Sequence, residues 1–521
     1  MKRTFVATSI GLCALLLAPI QGCTNLDETP PSAISPGNFF RTEGEVLAAL
    51  AGVYAQLRGT VDDYYNLSEI STEEMVVPTR GQDWYDNGTW LETHRQQWTA
   101  NSPGTLSFMN GAWNMAYAGV ARANALLDGV ANQSVPNQAV MVAEARTLRA
   151  FYYYILMDLF GGVPLATATG IEERPRVTRA ELFTFIESEL IAAHADLPAS
   201  WPAGSNGRLT KGAADAMLAN LYINAGVYTK DAAGAGGISA TGYNSCSGIT
   251  VAGGLGACQA AINRANDVIS SGVYSLAAPY RTAFDAANAT SPENIFVIKF
   301  AHESGLGLNF VMRALHYNQF TPGPWNGFSA TATAYNQFDA ADDRRNIFLV
   351  GPQVNVETLA PVNDRAGNPL NFTVAIANVA SATEGEGARV YKWPADPGHV
   401  AQDNGNDFAW FRLAEMYMIR AEAQNELTPG GATALADLNF VRARAFNPDV
   451  NRATIDHAAI LQERLFEFTG EGKRRQDLVR FGQYTAASLF KPTAAGDHKV
   501  IMPIPQSQID ANPLLTQNSG Y

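Results

Sequence analysis

The chain has 521 residues, with 36 Lys and Arg against 49 Asp and Glu, giving a net charge of −13. Apolar residues make up 47% and charged residues 16%, enough for a sizeable core and too little charge for a disordered chain. The acidic balance excludes a general nucleic-acid binder, which needs a basic face.

Lys2 and Arg3 precede an uncharged stretch from Phe5 to Ile20. That stretch is short for a bilayer span and right for the apolar part of an export signal. It ends in Ile20-Gln21-Gly22-Cys23, which resembles a lipobox. Residues 1–22 therefore read as a lipoprotein signal peptide and Cys23 as a lipidated N-terminus. An ordinary export signal followed by a chance Cys is the alternative. No later segment has the uninterrupted apolar length of a membrane span, so the expected membrane attachment is the N-terminal lipid.

Residues 23–41 are rich in Pro, Ser and Asn and read as a tether. Thr42 and Glu45 form a capping box, and Val46, Leu50, Val53 and Leu57 follow at helical spacing, with Gly59 as the stop. Residues 60–104 read as a long irregular segment that carries Tyr64, Tyr65, Trp84, Tyr85, Trp90 and Trp98. Residues 105–160 predict a helical hairpin with its turn at Asn132 to Asn137, closed by Gly161-Gly162-Val163-Pro164. Thr178 and Glu181 open the next helix, which stops near Pro198; Thr210 to Ala225 and Ala257 to Ser271 predict two more. Residues 42–279 therefore read as a helical N-terminal part that includes the aromatic loop 60–104. Residues 280–400, rich in Asn, Thr, Pro and aromatics, read as an irregular inserted subdomain with strand-like runs such as Asn294 to Lys299. Residues 401–521 return to helical pairs and a tail: Phe408 to Glu426, Ala432 to Ala445, Ile460 to Phe468 and Gln476 to Phe481. Small residues at close approaches and Gly stops resemble tetratricopeptide units, with irregular spacing and large insertions.

Cys246 and Cys258 stand in and beside the Gly-rich insertion 230–256. In an exported protein they read as a disulfide, with two unpaired thiols as the alternative. Phosphate-loop, nucleophile-elbow, zinc-protease and dinucleotide signatures are absent, so neither cofactor nor metal is expected. Seven His are scattered and none stands four residues from another. Glu73-Glu74, Asp342-Asp343 and Glu384/Glu386 are acidic pairs of a kind glycosidases use, although that chemistry needs a separation that sequence does not give. Asp403 to Asp407 is rich in oxygen ligands without the EF-hand pattern.

The informative signal is aromatic residues set among turn residues. Residues 79–90 carry Trp84 and Trp90 among Arg80, Asp83, Asp86, Asn87 and glycines, and residues 317–328 carry Tyr317 and Trp325 among Asn, Pro and Gly. Such rings can stack on sugar faces while neighbouring polar groups bond hydroxyls. The competing reading is that they plug small cores under long loops.

In this order, several motifs make the chain resemble the SusD/RagB family of outer-membrane nutrient-binding lipoproteins. They are Leu26 to Pro30 and Ser35 to Phe40, Arg149 to Tyr153 with Gly161 to Pro164, Phe411 to Tyr417, Glu463-Arg464, Glu467-Phe468, Gly470 to Gly472 with Arg475, Asp477 and Leu478, and Ile504-Pro505 through Asn512-Pro513 to Tyr521. The resemblance implies a mostly α fold of tetratricopeptide-like helical pairs packed against an irregular, loop-rich ligand-binding subdomain. It also implies a cell-surface lid that captures oligosaccharides or polysaccharides and passes them, without catalysis, to a SusC-type TonB-dependent transporter in the outer membrane. Glu73 to Trp98 is similar to the subgroup that contains starch-type binders. Ligand contact is carried over onto Arg80, Asp83, Trp84, Trp90, Tyr317 and Trp325, while Arg149, Glu415, Arg464 and Arg475 are assigned to folding. An exported glycoside hydrolase and a protein-binding helical scaffold are the other two readings.

Overall fold

The computed structural model describes residues 39–170 and 172–521. The signal segment, Cys23 and nearly all of the tether lie outside the described residues.

The fold is mostly α, as expected, and its helices form one continuous series. Helix α1 (Glu43–Ala55) carries the Thr42 capping box, with Thr42 and Glu45 each bonding the other's backbone. It runs on into a 3₁₀ turn, Gln56–Val61. The 60–104 segment is more ordered than its composition suggests. It contains α2 (Asp63–Glu69) and α3 (Thr89–His94), whose apolar residues are buried. Then come α4 (Thr105–Val130) and α5 (Gln138–Phe160), the expected hairpin, and α6 (Arg179–His194) with its Thr178 capping box. Helices α7 (Lys211–Ile223) and α8 (Ala257–Ser270) follow. Each of α4 to α8 packs against the next. The stacking of consecutive helical pairs buries a continuous core, as in tetratricopeptide arrays.

The series does not stop where the chain leaves it. Helix α8 packs directly on α9 (Leu413–Leu427), which packs on α10 (Ala432–Ala443). The intervening residues form the irregular subdomain. Strand β2 (Asn294–Ile298) near its start pairs antiparallel with β8 (Phe408–Arg412) at its end, with Asn294 opposite Arg412 and Ile298 opposite Phe408. Phe408 to Arg412, read from sequence as the start of a helix, is thus a strand. All five of its residues are buried, and a continuous buried run carries no period that separates strand from helix.

Helices α11 (His457–Phe468) and α12 (Arg474–Arg480) follow. Glu463 and Glu467 of α11 and Glu471 just after it join a buried ion network with arginines of the subdomain and of β8. Arg412 reaches Glu293 at 2.5 Å and Glu471 at 2.7 Å, and Arg344 reaches Glu463 at 2.7 Å and Glu467 at 3.1 Å. Charges taken from water hold only when paired like this. The residues expected to serve folding do so. Arg149 bonds Glu189, Arg475 bonds Asp158 at 2.9 Å, Arg464 bonds Asp477 at 2.8 Å, and Lys473 bonds Glu415 at 3.1 Å.

Cys246 and Cys258 are joined by a disulfide. The Gly-rich insertion is anchored at its far side too: Asn244 donates from its backbone to Arg480 O at 2.7 Å, and Tyr243 donates to Glu422 at 2.7 Å.

Candidate functional site

Three short pairings bring the aromatic loops together. Strand β1 (Met75–Val76) pairs with β3 (Ser329–Ala330), placing the chain after β1 beside the chain before β3. Strands β4 (Phe348–Leu349) and β7 (Arg389–Val390) pair, as do β5 (Gly351–Pro352) and β6 (Asn371–Phe372). A bridge from Ala330 to Ala388 ties β3 to the segment before β7. Residues 80–90, 317–326 and 365 therefore meet, and Arg365 bonds Asp83 across 282 positions of sequence.

Arg80 and Asp83 exchange backbone hydrogen bonds at 2.9 and 3.0 Å across a tight turn. The Arg80 guanidinium turns inward. It is 2% exposed and donates to the carbonyls of Asn326 at 3.0 Å, Gly327 at 3.2 Å, Thr383 at 3.2 Å and Glu386 at 2.7 Å. It shares Ser329 Oγ with the buried Arg389, at 3.2 and 2.9 Å. Burial lowers Arg80 to about 10 and pushes Arg389 down as well. Arg80 was expected to bond sugar hydroxyls. Its donors are instead committed to fixing the two aromatic loops to each other.

Asp83 stays at the surface. Its Oδ2 accepts the Tyr317 hydroxyl at 2.5 Å and Arg365 Nη2 at 3.2 Å. The Arg365 guanidinium lies 4.0 Å over the Tyr317 ring and also bonds Glu384. Glu384 accepts His316 Nε2 at 3.0 Å and the Arg365 amide at 3.0 Å. Burial works to raise the Glu384 carboxyl, but these donors hold it down at about 2. Burial, together with the hydrogen bond to Asp83, raises Tyr317 to about 12.

Trp84 sits in the left-handed region with φ +61. A non-glycine residue there is held against a backbone preference by its surroundings. The hold is visible: Nε1 donates to Trp325 O at 2.6 Å, and Gly327 lies so close that a Cβ there would come within 2.5 Å of the indole. The indole is half-buried, 6.4 Å from Trp325, and the next residue, Tyr85, is 54% exposed. Trp90 differs. It is 8% exposed, bonds Asp86 at 2.6 Å, and packs edge-on against Trp84 at 5.2 Å and Phe328 at 5.5 Å. Trp90 is the floor under Trp84 and not a contact surface, which corrects its expected role.

The structure thus gathers Asp83, Trp84, Tyr317 and Trp325 at one surface and places Arg80 and Trp90 beneath it. Sequence reasoning missed Arg365 and Glu384 as parts of this surface. It saw Tyr85 only as one aromatic among several, although its position beside Trp84 was the available clue. The surface offers partly exposed rings rimmed by a carboxylate, a phenol and a guanidinium, a combination suited to stacking on a sugar ring and bonding its hydroxyls.

Of the carboxylates weighed as a hydrolase centre, Glu384 belongs to this surface, where Arg365 and His316 bond it, and the others are engaged elsewhere. Glu73 pairs with Arg474, Glu74 accepts Gly470 N at 2.6 Å, and Asp342 bonds Arg344 at 2.8 Å. Glu386 accepts the amides of Ala377 at 3.0 Å and Thr383 at 2.7 Å. In the acidic run, Asp403 accepts the amides of Gly305 and Gly307 at 3.0 and 2.9 Å, and Asp407 bonds Lys299 at 2.5 Å.

Comparison with known proteins agrees with this architecture. A model described as the SusD family matches residues 366–521, and one described as starch-binding, associating with the outer membrane, matches residues 26–223. The SusD-like protein P25 of Formosa agariphila is 25% identical and aligns over 95% of this chain and 96% of its own length. The starch-binding protein SusD of Bacteroides thetaiotaomicron is also 25% identical, over the full length of both chains. Among solved structures, a laminarin-binding SusD-like protein superposes with a TM-score of 0.72 at 22% identity, covering 92% of this chain and all of that one. Surface glycan-binding protein A from Bacteroides thetaiotaomicron, in complex with laminarihexaose, gives 0.71 at 20% identity, covering 92% of this chain and 99% of that one.

Proposed function

The chain belongs to the SusD/RagB family, and on that footing we propose that it is a cell-surface glycan-binding lipoprotein of the outer membrane. In this reading it is held by lipid on Cys23, captures oligosaccharides or polysaccharides, and hands them to a SusC-type TonB-dependent transporter without cleaving them. The observation that carries the reading is the convergence of Trp84, Tyr317 and Trp325, from two loops more than 230 residues apart, around the Asp83–Arg365 pair. Relatives that bind starch and laminarin support a glucan as the ligand.

Binding proceeds by physical complementarity. A pyranose ring presents C–H groups on its faces and hydroxyls at its rim. The faces stack on Trp84, Trp325 and Tyr85, and the rim meets Asp83, Tyr317 and Arg365. Because the rings are held by Arg80, Gly327 and Trp90, little ordering is left to the binding step, which favours affinity. A longer glycan can touch more rings and is retained better than a short one.

The test is migration of the full chain through native gels cast with laminarin or starch, beside an assay for released reducing sugar. Retardation without sugar release supports the reading. Release of sugar would put the hydrolase reading first. Retardation in no glycan gel would remove the glycan-binding reading.

A further inference from the structure

A cavity outside the loop site has the chemistry of a second carbohydrate site. It lies where the loop between α6 and α7 meets the segment between α8 and β2, has a volume of about 380 Å³, and shares no residue with the aromatic loop site. Small-ligand sites usually occupy about 300–1,000 Å³. Two of its walls are aromatic, Trp201 and Tyr274. Its polar lining includes Asn206, Thr290 and Ser291, all uncharged.

The aromatic walls are fixed. Trp201 donates Nε1 to Leu209 O at 2.8 Å, and the Arg208 guanidinium covers it at 3.8 Å. Arg208, the one charged group lining the cavity, is itself held by Glu144, which accepts its Nε at 3.1 Å. Its charge is thereby compensated inside the protein. The Tyr274 hydroxyl bonds Thr210 at 3.0 Å, and Asn206 reaches across to Ala289 O. Fixed rings with an uncharged hydroxyl and amide rim select a ligand that is itself uncharged, polyhydroxylated and apolar on its faces. A charged ligand would lose hydration there without gaining a counter-ion.

We infer that this cavity is a second, weaker site for a neutral glycan, so that one polysaccharide chain engages the protein at two places. Its ligand class rests on the reading of the chain as a glycan binder; its place rests on the cavity itself. Two linked contacts raise retention of a long chain well above that of either site alone.

The experiment compares the full chain with Trp84→Ala, Thr290→Trp, Trp201→Ala and the double variants that combine Trp84→Ala with each of the other two. Laminarin and starch gels and laminarihexaose titration are the probes. Thr290 is exposed, so a Trp there blocks the cavity without entering the core; thermal melts of each variant check folding. The expected result is residual retention in Trp84→Ala that falls by about tenfold when either cavity substitution is added, about 1.4 kcal/mol. Retention unchanged by both cavity substitutions, in either background, overturns the inference and leaves the loop site standing. Full retention in Trp84→Ala with loss only in the cavity variants supports the inference and removes the loop site instead. Absence of retention by the unaltered chain overturns both.

Discussion

The Tyr317 hydroxyl donates to Asp83 Oδ2 at 2.5 Å, across 234 positions of sequence. This bond closes the candidate site, because it joins the polar rim of one aromatic loop to a ring of the other. Arg365 completes it by bonding the same oxygen at 3.2 Å while lying on the Tyr317 ring. Tyr317→Phe keeps the ring and removes the bond. It should weaken glycan retention by about tenfold or more, in line with a charged hydrogen bond of about 1.5–3 kcal/mol. Asp83→Asn should do the same. Native-gel retardation checks both, and equal retention in the two variants and the parent would remove Asp83 and Tyr317 from the site.

Trp84 and Trp90 should separate in their effects. Trp84 is half-buried and presents a face, whereas Trp90 is 8% exposed and touches Phe108, Phe328 and Trp84. Trp84→Ala should cut glycan retention by tenfold or more, about 1.4 kcal/mol, with a small change in melting temperature. Trp90→Ala leaves a cavity in packed surroundings and should cost about 3–5 kcal/mol of stability. Thermal melts beside affinity gels read both quantities. Opposite outcomes, with Trp90→Ala fully stable and Trp84→Ala fully retentive, would reverse the assignment.

The helices were legible because their apolar spacing and caps are local. Thr42 with Glu45 and Thr178 with Glu181 marked two starts that the structure keeps. The strand Phe408–Arg412 was not legible, since a fully buried run has no period and its partner strand lies more than 100 residues earlier, with Ile298 opposite Phe408 and Asn294 opposite Arg412. Arg80 in a polar loop has the composition of a surface contact; only the tertiary structure turns it inward onto four carbonyls. Arg365 had no neighbouring aromatic to mark it, and it joins the site through pairings that composition does not encode.

The Cys246–Cys258 bridge closes a short loop, its two residues 12 positions apart in sequence. Loops of this size gain about 3 kcal/mol from closure. Cys246→Ser with Cys258→Ser should lower the melting temperature accordingly. It should leave glycan retention at the loop site unchanged, because Tyr243 and Asn244 still hold the insertion to α9 and α12. A melt of the double variant coinciding with that of the parent would show that the bridge adds nothing to stability.

Glu69 and Glu74 give the fold a pH dependence of definite sign. Both are buried, and they receive the amides of Gly472 and Gly470, which ties α2 and the chain after it to the turn between α11 and α12. Burial raises both carboxyls, Glu69 well above its ordinary value and Glu74 to about 7, and each carboxylate acts on the other. The folded protein therefore binds protons more tightly here than the unfolded chain, whose Glu titrates near 4.5. Above about pH 4.5 the folded state holds more protons, so Glu74's contribution to stability falls as pH rises to about 7, and Glu69 acts in the same direction. Glu74→Gln removes the titration of that member and should lose its share of the slope between about pH 4.5 and 7. Melting temperatures of parent and variant across pH 4 to 8, roughly the span of the shift, test this directly. The variant should gain on the parent as pH rises; parallel curves would mean that the pair is not protonated in the folded protein.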